Sequence, residues 1–244
     1  MALYVFGDSF GESWDEVNTW TAQVSTLLHV ELKNYALSGV SLEYTYKTFY
    51  DVSNTFTEGD IVIMILTDIN RKWLLEDHPS RTTLRMLEKK HKTDTGVVNA
   101  VQLYFSEIFN PTVERIHLTS FIYALSSLTK HLQIKPIILV AFDNDDLLNG
   151  INVKDIQKIY PNVALGSLWK ISKQEFPLQV LDTVILQNFQ DFRPNHLSRI
   201  NHTILANKLI KYIEQNMIVD LTTEFMIDLY TTPKENGADY KDIT

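Results

Sequence analysis

Short apolar runs alternate with amphipathic segments along this chain. The runs at 3–6, 61–66 and 135–142 are continuous, which is typical of strands buried on both faces of a sheet. Looser patterns at 29–35 and 180–186 predict a second strand and a last strand. The polar intervals between these runs are long enough to hold helices.

Apolar residues at helical spacing predict four helices between and after the strands. These helices are expected at 17–28, 41–49, 105–132 and 198–215. Ser41 is the expected N-cap of the second helix, with Tyr44 three residues further on. In the third helix we expect four residues to face the core, namely Ile116, Phe121, Leu125 and Leu128.

The alternation of strands and helices predicts the architecture. We expect one three-layer α/β/α domain over residues 1–217, with a mostly parallel central sheet. A polar excursion is expected at about 75–104, and a C-terminal tail at 218–244. Ligand sites in such sheets lie beyond the carboxyl ends of the strands. Residues that carry chemistry should therefore follow strands directly.

Composition narrows the classes of function. The 244 residues include 22 Lys and Arg against 30 Asp and Glu, and a net charge of −8 disfavours nucleic acid and anionic membranes as partners. Cysteine is absent, which excludes a disulfide scaffold, a thiolate zinc site and a cysteine nucleophile. We find no spacing typical of metal ligands, no transmembrane segment and no secretory signal. We therefore expect a protein without a metal or cofactor, located in the cytoplasm or in a virion.

A serine and a histidine near opposite ends of the chain are candidates for nucleophilic catalysis. Ser9 lies in Gly7-Asp8-Ser9-Phe10 after the first strand, where a turn would present its hydroxyl at the top of the sheet. His196 precedes the last helix, and Asp191 is near enough in sequence to orient it as a general base. Taken singly, each segment also fits a plain turn or a helix-entry loop.

Two further residues could stabilise a developing oxyanion. Gly39 follows the second strand, and a glycine there lets a backbone N–H point at the negative charge. Asn70 follows the third strand and could donate from its side chain. Alternatively, Gly39 serves a loop that needs positive φ, and Asn70 caps a following helix.

The order serine, glycine, asparagine and histidine resembles the SGNH (GDSL-like) hydrolase superfamily. Gly7-Asp8-Ser9-Phe10 is similar to the first sequence block of that family, 34–41 to the second and 191–196 to the last. The amino-acid sequence of residues 193–198 is similar to that of family variants found in tailed-phage genomes. The resemblance implies a flavodoxin-like fold with Ser9 as nucleophile. It also implies His196 as base, Asp191 as its acid, and oxyanion donors at Ser9, Gly39 and Asn70.

Two blocks depart from the family pattern. The third block lacks its usual glycine, so Asn70 stands one residue late in an ungapped alignment. The acid usually stands three residues before the histidine, where this chain has Arg193, and a backbone carbonyl is the alternative to Asp191. Arg71 resembles the phage-type third block, where it would hold a substrate carboxylate or phosphate, or pair with Asp68.

The resemblance implies hydrolysis of a small acyl ester, such as O-acetyl groups on carbohydrate, through an acyl-enzyme. The residues expected to bind the substrate are Asp8, Thr67, Arg71, Trp14 and Trp73. For the two tryptophans, packing in the core is the alternative. The competing function is a catalytically altered scaffold that acts as a structural or adaptor protein, such as a component of a phage virion. The sequence leaves the oligomeric state open.

Overall fold

Four strands and seven α-helices lie in the part of the chain that the computed structural model describes, which is residues 1–13, 17–73, 95–143, 151–175, 197 and 199–225. The strands are β1 (Ala2–Phe6), β2 (Glu31–Asn34), β3 (Ile61–Leu66) and β4 (Lys135–Val140). The helices are α1 (Trp20–Leu28), α2 (Leu42–Val52), α3 (Thr95–Leu103), α4 (Pro111–His131), α5 (Val153–Ile159), α6 (Leu168–Glu175) and α7 (Arg199–Gln215). A 3₁₀ turn follows α2 at Ser53–Thr55, and a π-helical turn precedes α4 at Tyr104–Ile108.

All four strands run parallel in one sheet, in the order β2-β1-β3-β4. The chain moves from β1 outward to β2 and then returns to place β3 on the other side of β1. This reversal creates a crevice at the carboxyl ends of β1 and β3, where Phe6 pairs with Met64. The sheet is therefore the parallel α/β sheet predicted from sequence, and the loops at Gly7 and Thr67 begin side by side.

Helices cover both faces of the sheet. Alternate residues of β3 enter different core clusters, because successive side chains of a strand point to opposite faces. Ile63 packs in the cluster that contains Trp20 of α1 and Leu209 of α7, whereas Met64 packs in the cluster that contains Phe49 of α2 and Ile122 of α4. The three-layer α/β/α arrangement is thereby confirmed.

The main correction to the predicted elements concerns the helix expected at 105–132. It begins at Pro111, because the Asn110 side chain accepts a hydrogen bond from the Thr112 N–H and proline favours the first helical position. Its buried stripe follows Leu118, Ile122 and Leu125, at spacings of four and three. Ile116 lies on a different side of the helix and is exposed, so its predicted inward orientation is wrong.

Other predicted boundaries agree within a few residues or cannot be compared. Ser41 caps α2, where its hydroxyl accepts from the Tyr44 N–H at 3.3 Å, as predicted. The predicted strand at 180–186, the excursion up to residue 94 and the tail from residue 226 lie outside the described residues. None of the described helices combines the length and the apolar character needed to cross a membrane.

Candidate active site

Ser9 lies in a tight turn directly after β1. The turn closes with a hydrogen bond from the Gly11 N–H to the Asp8 carbonyl at 2.9 Å. Gly7 begins it at φ +138°, and a Cβ there would meet the Ile65 Cβ at 2.5 Å, so only glycine fits. Ser9 is partly exposed between two buried neighbours. Its hydroxyl makes no hydrogen bond with the described residues.

The Asp8 carboxylate joins this turn to the loop that follows β3. Asp8 is fully buried, and its Oδ1 accepts from the Phe10 N–H at 3.2 Å. Its Oδ2 accepts from the Thr67 hydroxyl at 2.7 Å and from the Arg71 guanidinium at 2.9 Å. These bonds hold the position of Ser9 relative to β3. The sequence suggested Asp68 as a partner of Arg71, but the ion pair forms with Asp8.

Arg71 also stacks on an aromatic cluster. Its guanidinium carbon lies 4.9 Å from the ring centroid of Phe142, a favourable cation–π arrangement. The Phe142 ring in turn contacts Phe10 at 5.9 Å and Trp169 at 5.2 Å, centroid to centroid. Because Phe10 directly follows Ser9, the cluster supports the serine turn from the side of β4.

The loop that carries Gly39 is bonded to the serine turn. The Leu37 N–H donates to the Gly7 carbonyl at 3.0 Å, and the Asn34 side chain donates to the Gly11 carbonyl at 2.7 Å. Gly39 adopts a φ of +75°, as expected for a loop glycine. Sequence reasoning missed the role of Asn34. The available signal was an asparagine at a strand end, which favours a turn; here its Oδ1 accepts from the Ala36 N–H at 2.9 Å.

Asn70 is involved in a local turn. Its backbone N–H and its side-chain Nδ2 both donate to Asp68 Oδ1 at 2.9 Å. Burial raises the pKa of Asp68, and it outweighs the hydrogen bonds from Asn70 and the nearby charge of Arg71, which lower it. An amide nitrogen has a second N–H, so the predicted donation from Asn70 to an oxyanion stays a prediction.

Three predicted site residues lie outside the described residues, namely Trp14, Asp191 and His196. Leu197, which directly follows His196, is buried in the same core cluster as Phe10. Trp73 contacts the Tyr44 ring edge-on at 5.5 Å. Within the ranges that the structure covers, no three His, Asp or Glu side chains come together as a metal site would require.

Comparisons with known proteins give similarity at the level of structure. The chain matches no family model and no curated protein sequence. Similar solved structures include protein YXIM from Bacillus subtilis, with a TM-score of 0.45 and 14% identity over 88% of this chain. The match covers only 56% of that Bacillus protein.

Two other similar structures are described as lipolytic. One is a putative lipolytic protein of the G-D-S-L family from Desulfitobacterium hafniense, with a TM-score of 0.44 and 15% identity over 87% of this chain and 98% of the other. The second is a member of the lipolytic G-D-S-L family from Veillonella parvula, with a TM-score of 0.48 and 12% identity over 88% and 99%. Likeness of this degree concerns the fold and leaves activity open. The resemblance to phage variants stays a prediction.

Proposed function

We propose that this protein is a serine hydrolase of the SGNH type that cleaves small acyl esters, with Ser9 as the nucleophile. The observation that carries the proposal is the serine turn itself. The partly exposed Ser9 stands at the carboxyl end of β1, beside the crevice where ligands bind in parallel sheets. The turn is held on both sides, by Asp8 toward β3 and by Asn34 toward the loop after β2. Such support keeps a nucleophile in one geometry.

In the proposed reaction, His196 accepts the Ser9 proton while the Ser9 oxygen attacks the ester carbonyl. The proton then passes to the leaving alcohol as its bond to the carbonyl carbon breaks, which leaves an acyl-enzyme. A water molecule attacks the acyl carbon, gives its proton to His196, and the Ser9 oxygen leaves with a proton returned by His196.

The negative charge on the tetrahedral oxygen needs donors that are already in place. We assign this role to the backbone N–H groups of Ser9 and Gly39, with the Asn70 side chain as a third donor. The bonds that attach the loop after β2 to Gly7 and Gly11 support the first two assignments. Asp191 or a backbone carbonyl would orient His196.

The proposed substrate is a small ester, such as an O-acetyl group on carbohydrate. Trp73 remains our candidate for contact with a sugar ring, together with Trp14. For Asp8 and Thr67 the contacts favour a positioning role, because Asp8 is fully buried and its carboxylate accepts from the Thr67 hydroxyl. Arg71 binds Asp8 through one nitrogen, and it remains a candidate for holding an anionic group of the substrate.

Hydrolysis of p-nitrophenyl acetate and labelling by a fluorophosphonate probe test this proposal. Ser9→Ala should abolish labelling and lower kcat at least about a thousandfold, and His196→Ala should lower kcat on a similar scale. Ser13→Ala is the matched control, because Ser13 lies on the same loop with its hydroxyl 3.3 Å from that of Thr19. This control should retain both labelling and turnover.

An unreactive Ser9 would contradict the proposal. If the wild-type chain neither labels nor hydrolyses the ester, and native mass measurements show a stoichiometric assembly, the scaffold or adaptor function is favoured instead. Equal labelling of wild type and Ser9→Ala would show that another residue reacts, and the assignment of Ser9 would be wrong.

A further inference from the structure

A cleft of about 370 Å³ opens between α2 and α4, on the face of the sheet that α1 and α7 do not cover. Its apolar walls are formed by Leu42, Tyr46, Leu118, Phe121 and Ala124. The Tyr46 and Phe121 rings meet edge to face at 5.1 Å. A volume of this size falls within the range of small-molecule sites, roughly 300–1,000 Å³. Ser9 and the turn that carries it contribute nothing to this lining, whereas the loop after β3 contributes Lys72.

A buried lysine lies in this cleft between two carboxylates. The Lys72 ammonium donates to Glu43 Oε1 at 2.7 Å and also to Glu114 Oε2. Lys72 and Glu114 are buried, whereas the Glu43 side chain is 43% exposed. Burial lowers the pKa of Lys72, but the hydrogen bonds to Glu114 and Glu43 outweigh that effect and raise it above its ordinary value. The lysine is therefore a cation at neutral pH.

This cluster carries more negative than positive charge. Two carboxylates share one ammonium, and the other titratable side chains among the described residues that line the cleft are His117, at 3.4 Å from Glu114 Oε2, and the phenol of Tyr46. Glu43 Oε2 and Glu114 Oε1 take part in no hydrogen bond with the described residues. Among the described residues one negative charge is thus in excess beside apolar walls, and each of the two carboxylates has one oxygen without a hydrogen bond to them.

We propose that this cleft binds a small organic cation, namely an ammonium group on an apolar body about the size of a phenyl ring. The ammonium would compensate the excess charge of Glu43 and Glu114. The apolar body would contact Tyr46 and Phe121, whose ring faces also attract cations. An anion would meet the excess negative charge, and a neutral molecule would gain apolar contact alone. The proposal does not rest on the chemistry of Ser9.

Isothermal titration calorimetry of the full chain with three probes of one shape tests the charge preference. Phenethylammonium should bind at least about fivefold more tightly than 2-phenylethanol, and 3-phenylpropanoate should bind most weakly. Equal affinities, the reverse order or no binding by phenethylammonium would each overturn the proposal. Ser9→Ala should bind phenethylammonium like the wild type, so this result is independent of any ester hydrolysis.

Two pairs of variants test the location. Glu43→Gln removes the excess charge and should weaken the binding of phenethylammonium about fivefold. Glu58→Gln, at an exposed turn outside the cleft lining, should leave this binding unchanged.

Ala124→Trp fills the cleft and should abolish binding of phenethylammonium. Ser127→Trp, exposed on α4 and outside the lining, should leave it unchanged. Equal effects within either pair would place the binding elsewhere and overturn the proposal. Circular dichroism checks that each variant is folded.

Discussion

Arg71 and Lys72 are neighbours in the chain, yet their side chains enter two ion clusters of different composition. Arg71 meets one carboxylate, that of Asp8, which also accepts from the Thr67 hydroxyl and the Phe10 N–H. Lys72 meets two carboxylates, those of Glu43 and Glu114. Counted by direct ion pairs, the first cluster is balanced in charge and the second carries an excess. Asp68 also lies near Arg71 and Asp8, but burial raises the pKa of its carboxyl. A balanced cluster has no charge beyond its own ion pair. An unbalanced cluster retains a net charge that an oppositely charged ligand can pair with.

The two clusters also differ in their exposure to water. Asp8 is fully buried and the Arg71 side chain is only 15% exposed, so each ion depends on the other for the solvation it has lost. In the second cluster Lys72 and Glu114 are similarly buried, but the half-exposed Glu43 retains contact with water. Removing a member of the first cluster should therefore cost more stability than removing the matching member of the second.

The largest effect is expected for Asp8→Ala. This change leaves the Arg71 guanidinium beside Phe142 without its carboxylate, and we expect the free energy of unfolding to fall by about 3–5 kcal/mol. Ester hydrolysis should fall as well, because the serine turn loses its bonds to Thr67 and Arg71. Urea denaturation measures the first effect.

The double variant Asp8→Ala/Arg71→Met is the control, since it removes the unpaired charge and should regain part of the lost stability. A loss below about 1 kcal/mol in Asp8→Ala would mean that the pair contributes no more than a surface ion pair. The distinction between the two clusters would then have no energetic basis.

For Lys72→Met at neutral pH we expect a smaller fall in the free energy of unfolding, of about 2 kcal/mol. The variant leaves Glu43 and Glu114 without their shared cation, but Glu43 can turn toward water and the buried Glu114 still has His117 at 3.4 Å. The raised pKa of Lys72 determines the pH dependence. Its stabilising contribution is fully present below the unfolded-state pKa, near 10.4, and is lost as the pH rises through the higher folded-state value.

The difference between wild type and Lys72→Met should therefore narrow at alkaline pH. Urea denaturation at about pH 7, 9 and 11 measures it. Lys154→Met, at an exposed lysine on α5, is the control for general effects of charge. A difference that stays constant up to pH 11 would show that Lys72 contributes through packing instead.

The scaffold could be predicted from sequence because its signals are local. The continuous apolar run of Ile61–Leu66 became β3 without a change of boundary, and the Ser41 cap depends on residues three positions apart. The position of Ser9 after β1 follows from the same kind of signal. Ile116 was wrongly predicted to face the core because apolar residues lie on more than one side of this helix. Spacing along the sequence does not say which side packs against the sheet, and the structure leaves Ile116 exposed.

The ion clusters could not be predicted because their members are brought together by strand order. Arg71 has Asp68 three residues away, yet it binds Asp8, 63 residues earlier, since β1 and β3 lie side by side. Lys72 likewise unites Glu43 with Glu114 from two separate helices. Of the proposed catalytic pair, the structure describes Ser9 alone, so the pairing with His196 remains a prediction.

The smallest effect on stability is expected for Glu43→Gln, although the same variant should bind phenethylammonium about fivefold more weakly. The change leaves Lys72 and Glu114 as a balanced pair, similar in composition to Asp8 and Arg71. The Glu43 carboxylate is half-exposed, and its cluster has more negative than positive charge. Removing this charge should therefore alter the free energy of unfolding by no more than about 0.5 kcal/mol. Urea denaturation and calorimetry on one preparation compare the two effects directly.

Asp8→Asn makes the same carboxylate-to-amide change in the balanced cluster and provides the matched comparison. There the amide N–H groups would face the Thr67 hydroxyl and the Arg71 guanidinium, which are donors and need an acceptor. The charge of Arg71 would also be left uncompensated. We therefore expect the free energy of unfolding to fall by about 2–3 kcal/mol. If Glu43→Gln cost as much as Asp8→Asn, the excess charge in the cleft would be structural. A stability cost confined to Asp8→Asn, with a loss of cation binding confined to Glu43→Gln, would separate the function of one cluster from that of the other.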